Sequence, residues 1–217
     1  MEMNTVGIAG TVAAAPAPYR NIYGRENVYA LWLDVARDSG TVDRVLVLMQ
    51  VGKTEMEIDR AALREGSRVE ATGTVQTYKD RETGHTQLFV WASYLAAVPD
   101  DSQQINTVYI TGTVARQPVY RETPKGKHIT DFAICVPSAF AQGFYSFIPC
   151  IAWERLAEQT AEMQEGSEVY LEGRVQSRNY TKKTPEGTRE LTTWEISVNK
   201  LKMTETAAGI RQVKLGL

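Results

Sequence analysis

The sequence is poor in the side chains that metal centres and histidine catalysis need. It has two cysteines, Cys135 and Cys150, and two histidines, His85 and His128, which lie in different halves of the chain. Four ligands at zinc spacing cannot be assembled from these, so no metal is expected, and both cysteines read as small, buried, reduced residues. The histidines read as surface or loop residues. No Gly-rich run leads into a helix through Lys-Ser/Thr, which removes phosphate-cradling chemistry. No serine or cysteine nucleophile can be paired with a base, so no catalytic residue, cofactor or enzymatic activity is expected. A run of about 18 apolar residues is also missing, and Met1-Glu2-Met3-Asn4 lacks the basic start and apolar core of a signal peptide. A cytoplasmic chain without a membrane partner is therefore expected.

A strong net charge is lacking too. The formal charge is -2, which argues against coating a polyanion by bulk electrostatics alone. The distribution is uneven. Residues 1–103 hold ten Lys and Arg against fourteen Asp and Glu, and residues 104–217 hold fourteen against twelve. A polyanion site is expected in the second half.

What the sequence does contain is a repeat. Asn4-Thr5-Val6-Gly7-Ile8-Ala9-Gly10-Thr11-Val12 returns as Asn106-Thr107-Val108-Tyr109-Ile110-Thr111-Gly112-Thr113-Val114. Tyr19-Arg20 returns as Tyr120-Arg121. Glu65-Gly66-Ser67-Arg68-Val69 with Gly73-Thr74-Val75-Gln76 returns as Glu165-Gly166-Ser167-Glu168-Val169 with Gly173-Arg174-Val175-Gln176. The near-constant offset divides the chain into a first copy over 1–98, a polar linker over 99–105, a second copy over 106–203 and a tail over 204–217.

Each copy reads as five strands by alternation of apolar residues. In the second copy Val108, Ile110 and Val114 share a face, as do Phe132, Ile134 and Val136, and then Trp194, Ile196 and Val198. A short helix is expected between the third and fourth strands, over Glu154–Met163 in the second copy and roughly Glu55–Leu63 in the first. Each helix ends before a glycine, Gly166 or Gly66, suited to positive φ. Five strands with a helix between the third and fourth is the order of an OB-fold, a small Greek-key barrel. The fold class is therefore all-β, two tandem OB-folds, with Gly10, Gly73, Gly112 and Gly173 placed where barrel closure brings backbones together.

The third and fourth strands of the second copy carry the chemistry. Phe147-Ile148-Pro149-Cys150-Ile151-Ala152-Trp153 has large apolar groups on both faces, which a strand covering one side of a core does not need. Ile148, Cys150 and Ala152 point one way, and Phe147 and Trp153 the other. On the next strand Val169, Leu171 and Val175 oppose Arg174, Arg178 and Tyr180. Aromatic rings among basic groups on an outward face suit the stacking of unpaired bases and the holding of phosphates. Outward aromatics also suit a subunit interface. Phe132 and Trp194 have core parity.

The second copy resembles the bacterial single-stranded DNA-binding protein family. The likeness runs from Asn106 to about Met203, through Asn106–Gly112, Pro118, Asp131–Ile134, Trp153–Glu158 and Gly166–Gly173. The first copy matches more weakly, through Asn4–Val12 and Glu65–Gln76. The resemblance implies that bases stack on Phe140, Phe147, Trp153 and Tyr180; the residues themselves place Arg174, Arg178, Lys182 and Lys183 beside those rings for phosphates. Three of those four ring positions more often hold tryptophan in the family, so weaker binding per base is implied.

At positions aligned with Phe140 and Tyr180 the first copy has Ser39 and Asp80, and near those of Phe147 and Trp153 it has Val45 and Gln50 or Val51. That copy is expected to be mainly architectural, with Tyr78 and Arg81 its remaining candidates for contact. The resemblance further implies that four barrels act together, hence a homodimer of this two-copy chain, and nucleoid association through single-stranded DNA in replication, recombination or repair. No Asp or Glu follows Glu205, so the family's acidic recruiting tail is expected to be absent. An OB-fold that binds protein, or RNA, is the competing expectation.

Overall fold

Two rings of five strands, each closed by backbone hydrogen bonds, account for nearly all of the computed structural model. It describes residues 3–20, 22, 24–79, 84–140, 142–184 and 187–203, without the side chains of Ala61, Lys182, Lys183, Thr184 and Arg189. The first ring contains β1 (Asn4–Pro18), β2 (Val28–Ala36), β3 (Val42–Gln50), β5 (Arg68–Lys79) and β6 (Thr86–Ala97), with a two-residue strand β4 (Glu55–Met56) alongside β6. The second contains β7 (Asn106–Val114), β9 (His128–Pro137), β10 (Tyr145–Trp153), β11 (Glu168–Thr184) and β12 (Gly187–Met203), with β8 (Val119–Glu122) on the edge of β9. The third and fifth strands of each ring pair parallel, β3 with β6 and β10 with β12. The fourth strand returns to the first, β5 to β1 and β11 to β7. This is the OB-fold order, twice.

The repeated Asn-Thr-Val has a physical cause. Asn4 donates from Nδ2 to the Val75 carbonyl at 2.8 Å and accepts from the Val75 amide at 2.9 Å. Asn106 makes the same two bonds with Val175, at 2.8 and 2.9 Å. Each asparagine carries the pairing of the first and fourth strands past the last paired residues, Val6 with Gly73 or Val108 with Gly173. The glycines are required there, since a Cβ on Gly73 would lie 2.0 Å from the Trp91 carbonyl oxygen, and one on Gly173 2.4 Å from that of Ser197. Each barrel then fills with the alternating apolar residues of its strands, and Leu63 and Met163 plug corresponding ends. Burying one such side chain contributes roughly 1.5–3 kcal/mol.

The helix expectation holds for one copy only. In the second, α1 (Arg155–Ala161) buries Ala157 and Thr160, and Thr130 Oγ1 donates to the Ala157 carbonyl at 2.6 Å. The first copy has β4 and a single 3-10 turn over Arg60–Ala62 instead. Met56 and Ile58 both pack on the core. Residues two apart share a face in extended chain, not in a helix. Gly66 and Gly166 take the expected positive φ, 87° and 88°.

The barrels are joined along their first strands, β1 antiparallel to β7, with Val6 opposite Val108. Residues 99–105 lie against the first barrel: Gln104 Nε2 donates to the Ala9 carbonyl at 2.8 Å, and Arg68 donates to Ser102 and Gln104. A second joint is polar and repeats approximately. Asp43 accepts from the backbone N–H and Oγ of Ser177 at 2.7 and 2.8 Å, while Thr77 and Ser146, at corresponding positions, meet on the other side at 3.3 Å.

Candidate nucleic-acid interface

On β10, Ile148, Cys150 and Ala152 fill the barrel, as alternation requires, and Phe147 and Trp153 face out. Phe147 is 54% exposed and Tyr145, of the same parity, 57%. Between them and Trp153, Pro149 is half-buried and Ile151 fully buried, so the exposed aromatic surface of β10 lies at Tyr145 and Phe147, with Trp153 half-buried beyond. Beyond it, β11 turns Arg174, Gln176, Arg178 and Tyr180 outward, away from Val169, Leu171 and Val175.

Of these groups, Trp153, Arg174, Gln176 and Arg178 line a cavity of about 360 Å³ together with Ser177, Lys127 and Arg37, whereas Phe147 and Tyr180 lie outside its lining. Arg174 and Arg37 also line an adjoining cavity of about 440 Å³ that runs to Asn106 and Gln104. Trp153, Arg174 and Arg178 are thus brought together as expected from the sequence. Arg37 comes from the first copy, and neither its role nor that of Lys127 had a local sequence signal. Tyr145 did, because its parity matches Phe147.

The cations differ in availability. Arg178 Nη2 donates to Glu195 at 3.0 Å and lies 3.7 Å from Asp131. Burial lowers the Arg178 guanidinium, but its hydrogen bonds and attraction to Glu195 outweigh that and hold it above its ordinary value. Glu195 is 3% exposed and also accepts from Gln176 at 3.0 Å, so Arg178 compensates a buried carboxylate before it meets any ligand. Arg37 is held by Asp43 at 2.6 Å and donates to the Ser177 carbonyl. Arg174 and Lys127 have no side-chain partner among the described residues. They are the cations best placed to take phosphates.

Several expectations need correction or restriction. Phe140 is not an outward platform: it is 7% exposed, edge-on to Trp91 at 4.8 Å and 5.9 Å from Phe89. Its ring joins Ile22, Leu46 and Leu48 of the first copy, and burying a phenyl there outweighs leaving it in water by about 2 kcal/mol. Trp194 does not enter the core fully, as Phe132 does; it is half-buried, and its Nε1 donates to the Arg44 carbonyl at 2.7 Å. Cys135 is only partly buried, unlike Cys150. His128 is not a plain surface residue, since its ring stacks on Tyr120 at 5.5 Å and 5°. Tyr180 is half-buried on the β11–β12 ribbon. The side chains of Lys182 and Lys183 are outside what the structure describes, as are Asp80, Arg81 and the tail 204–217.

Strand register fixes the comparison between copies. Asp34 opposite Arg44 corresponds to Cys135 opposite Phe147, so the first-copy match to Phe147 is Arg44, not Val45, and the match to Trp153 is Gln50. The equivalent outer face is covered. Leu46, Leu48 and Phe89 lie beneath Ile22 and Phe140 with essentially no exposure. Tyr19 and Tyr78 touch through their hydroxyls, and Arg20 sits 4.6 Å above the Tyr78 ring.

Among the described residues no group of three or more His, Cys, Asp and Glu could hold a metal ion, and no helix is long and apolar enough to cross a membrane.

The comparisons with known proteins bear on a barrel with outward aromatic rings and cations beside them. Residues 105–204 match the sequence model of the Single-strand binding protein family. That match spans the whole of the second barrel. Among individual relatives, the single-stranded DNA-binding protein of Oceanobacillus iheyensis is 40% identical over 81 residues, which cover 35% of this chain and 50% of that protein. The single-stranded DNA-binding protein A of Bacillus subtilis is 33% identical over 81 residues, 35% of this chain and 47% of that one. The chain spans about half the length of the curated relatives it matches. Across both barrels, it resembles the solved structure of the wild-type single-stranded DNA binding protein from Thermus aquaticus, with a TM-score of 0.68, 18% identity and 97% of each chain covered. The tandem arrangement of OB-folds is shared with that structure.

Proposed function

We propose that the second barrel binds single-stranded DNA without reading its sequence, stacking bases on Phe147, Trp153 and Tyr180 and pairing phosphates with Arg174, Arg178 and Lys127, with Lys182 and Lys183 as further cations. The observation that carries this is the convergence of Trp153, Arg174, Arg178 and Lys127 on one open groove. Stacking contributes about 1–3 kcal/mol per base and suits any base, since each has a π-face. The chemistry is binding, not catalysis, and fits a protein that covers single strands during replication, recombination or repair in the cytoplasm.

Two chains are inferred to associate, so that four barrels act together. The outer face of the sheet through β5, β1, β7 and β11 supports this. Tyr94 at one end stands near Glu55, Glu57 and Glu70, while at the other Lys200 and Lys202 stand beside Glu172, which Lys200 meets at 2.6 Å, leaving that end net basic. A two-fold axis running along the strands would set the acidic end of one sheet over the basic end of its partner. Light scattering should give twice the 24.2 kDa of the chain.

Titration with oligo(dT) tests the binding reading. Tryptophan emission should be quenched, with affinity falling steeply as salt rises, and Trp153→Ala should weaken binding roughly 5- to 100-fold. Unquenched emission at low salt would favour a protein-binding barrel, and preference for oligo(U) an RNA ligand.

A further inference from the structure

A second aromatic cleft lies where the barrels meet, outside the groove just described. It has a volume of about 400 Å³ and is lined by Trp32, Arg44, Ala13 and Ala14 of the first copy and by Trp194, Ser177 and Thr192 of the second. That volume falls within the range of small-molecule sites, ~300–1,000 Å³. Trp32 and Trp194 come from different barrels, both half-buried, with centroids 6.2 Å apart and planes 43° apart. They are tilted and not stacked on each other, and both residues line the cleft.

Three features distinguish this cleft from ordinary packing. The polar edge of Trp194 is already satisfied by the Arg44 carbonyl, which fixes the indole, so that what the ring has left to offer a ligand is apolar. Ala13 and Ala14 keep one wall low. The Arg44 guanidinium stands at the rim, 61% exposed, in a surface pair with Asp34 that an incoming phosphate can replace. The cleft and the groove also share a lining residue, Ser177. Trp194 lies opposite Ser177 on the β11–β12 ribbon, whose other face carries Arg178 and Tyr180.

We propose that the Trp32–Trp194 cleft takes one unstacked nucleobase of a single strand that leaves the groove of the second barrel, with Arg44 holding the adjoining phosphate. The proposal rests on the groove's binding single-stranded DNA. It gives the first copy a direct part in binding, through an edge its cover leaves open. It also makes the joint between copies, and not either barrel alone, the place where the strand changes direction.

The test uses the full chain with Trp91→Phe and Trp153→Phe, which leaves Trp32 and Trp194 as the only indoles of the four. Binding is followed separately, by the anisotropy of fluorescein-labelled oligo(dT) of increasing length. Oligonucleotides long enough to pass the groove should quench the two indoles at saturation. In the otherwise natural chain, Trp32→Leu, which keeps an apolar wall, should weaken binding of those long oligonucleotides roughly 5- to 100-fold. Saturated anisotropy with unchanged indole emission at every length would overturn the cleft while leaving the groove intact. Absence of any anisotropy change in the natural chain would instead overturn the groove, and the cleft with it. If Trp32→Leu does not fold, the emission experiment decides alone.

Discussion

The two barrels share strand order, an asparagine clamp and a glycine at each close approach, yet differ on one face. In the second barrel the outer side of the third strand presents Tyr145, Phe147 and Trp153 to solvent. In the first, the matching side is Arg44, Leu46, Leu48 and Gln50, and its middle is sealed by Ile22 and Phe140. The lesson is that barrel closure constrains only the inward residues. The outward ones were free to diverge into a ligand surface in one copy and a packing surface in the other. The cover is partly supplied by the second copy itself, since Arg25 donates to the Phe140 carbonyl at 3.1 Å and Phe140 seats on Trp91.

Phe140→Ala tests that difference most strongly. Removing a buried phenyl that fills space between barrels should cost about 3–4 kcal/mol of stability, measured by denaturant unfolding. The affinity of the still-folded protein for oligo(dT) should stay within about twofold of the natural chain. If affinity dropped while stability held, Phe140 would be a stacking residue after all and the barrels would be less different than they are drawn.

The clamps are the shared element, and the next prediction sharpens the comparison from that side. Asn106→Ala leaves the Val175 amide and carbonyl without their partner, and Asn4→Ala does the same for Val75. Each loses two hydrogen bonds, so each should cost about 2 kcal/mol. Equal losses in thermal unfolding would show the barrels to be mechanically equivalent. A loss confined to one would show that its partner barrel is held by other contacts.

The polar joint between copies makes a smaller, pH-dependent contribution. Asp43 is fully buried, and burial by itself would raise its carboxyl. Hydrogen bonds from Arg37 and Ser177 win, and hold it below the ordinary carboxylate value. A group with a depressed folded pKa contributes stability that is complete above its unfolded value, about 3.9. That contribution is lost as pH falls from there through the lowered value. Unfolding midpoints of the natural chain should therefore drop below about pH 4 more steeply than those of Asp43→Asn, which has no proton to take up there.

Much of this was legible in the sequence, for identifiable reasons. The repeat gave two domains, and period-two alternation gave the inward residues of β10 and β11 along with the outward Phe147, Trp153, Arg174 and Arg178. Phe140 was misread because it sits in a loop, where no periodicity reports direction, and its burial comes from residues about 50 to 120 positions away. Arg37 and the Trp32–Trp194 contact were invisible for the same reason: each depends on how one barrel docks on the other. The missing helix of the first copy was an error of period, since Met56 and Ile58 share a face only in extended chain.

The smallest expected effect separates the cations of the groove from one another. Arg174 has no side-chain partner among the described residues, whereas Arg178 is committed to Glu195 and Asp131. A cation that is free in the unbound protein releases a counterion from DNA when it meets a phosphate, and its loss lowers the salt slope by about 1. Arg174→Ala should therefore reduce the slope of log affinity against log salt by about that amount and weaken binding evenly across sequences. The matched first-copy residue is Thr74, so Thr74→Ala should leave the slope unchanged. Arg178→Ala should behave differently again: it strands the buried Glu195 carboxylate, and stability should fall more than the salt slope does. If Arg174→Ala left the slope intact and Thr74→Ala changed it, phosphates would be running over the first barrel, and the assignment of open and covered faces would have to be exchanged.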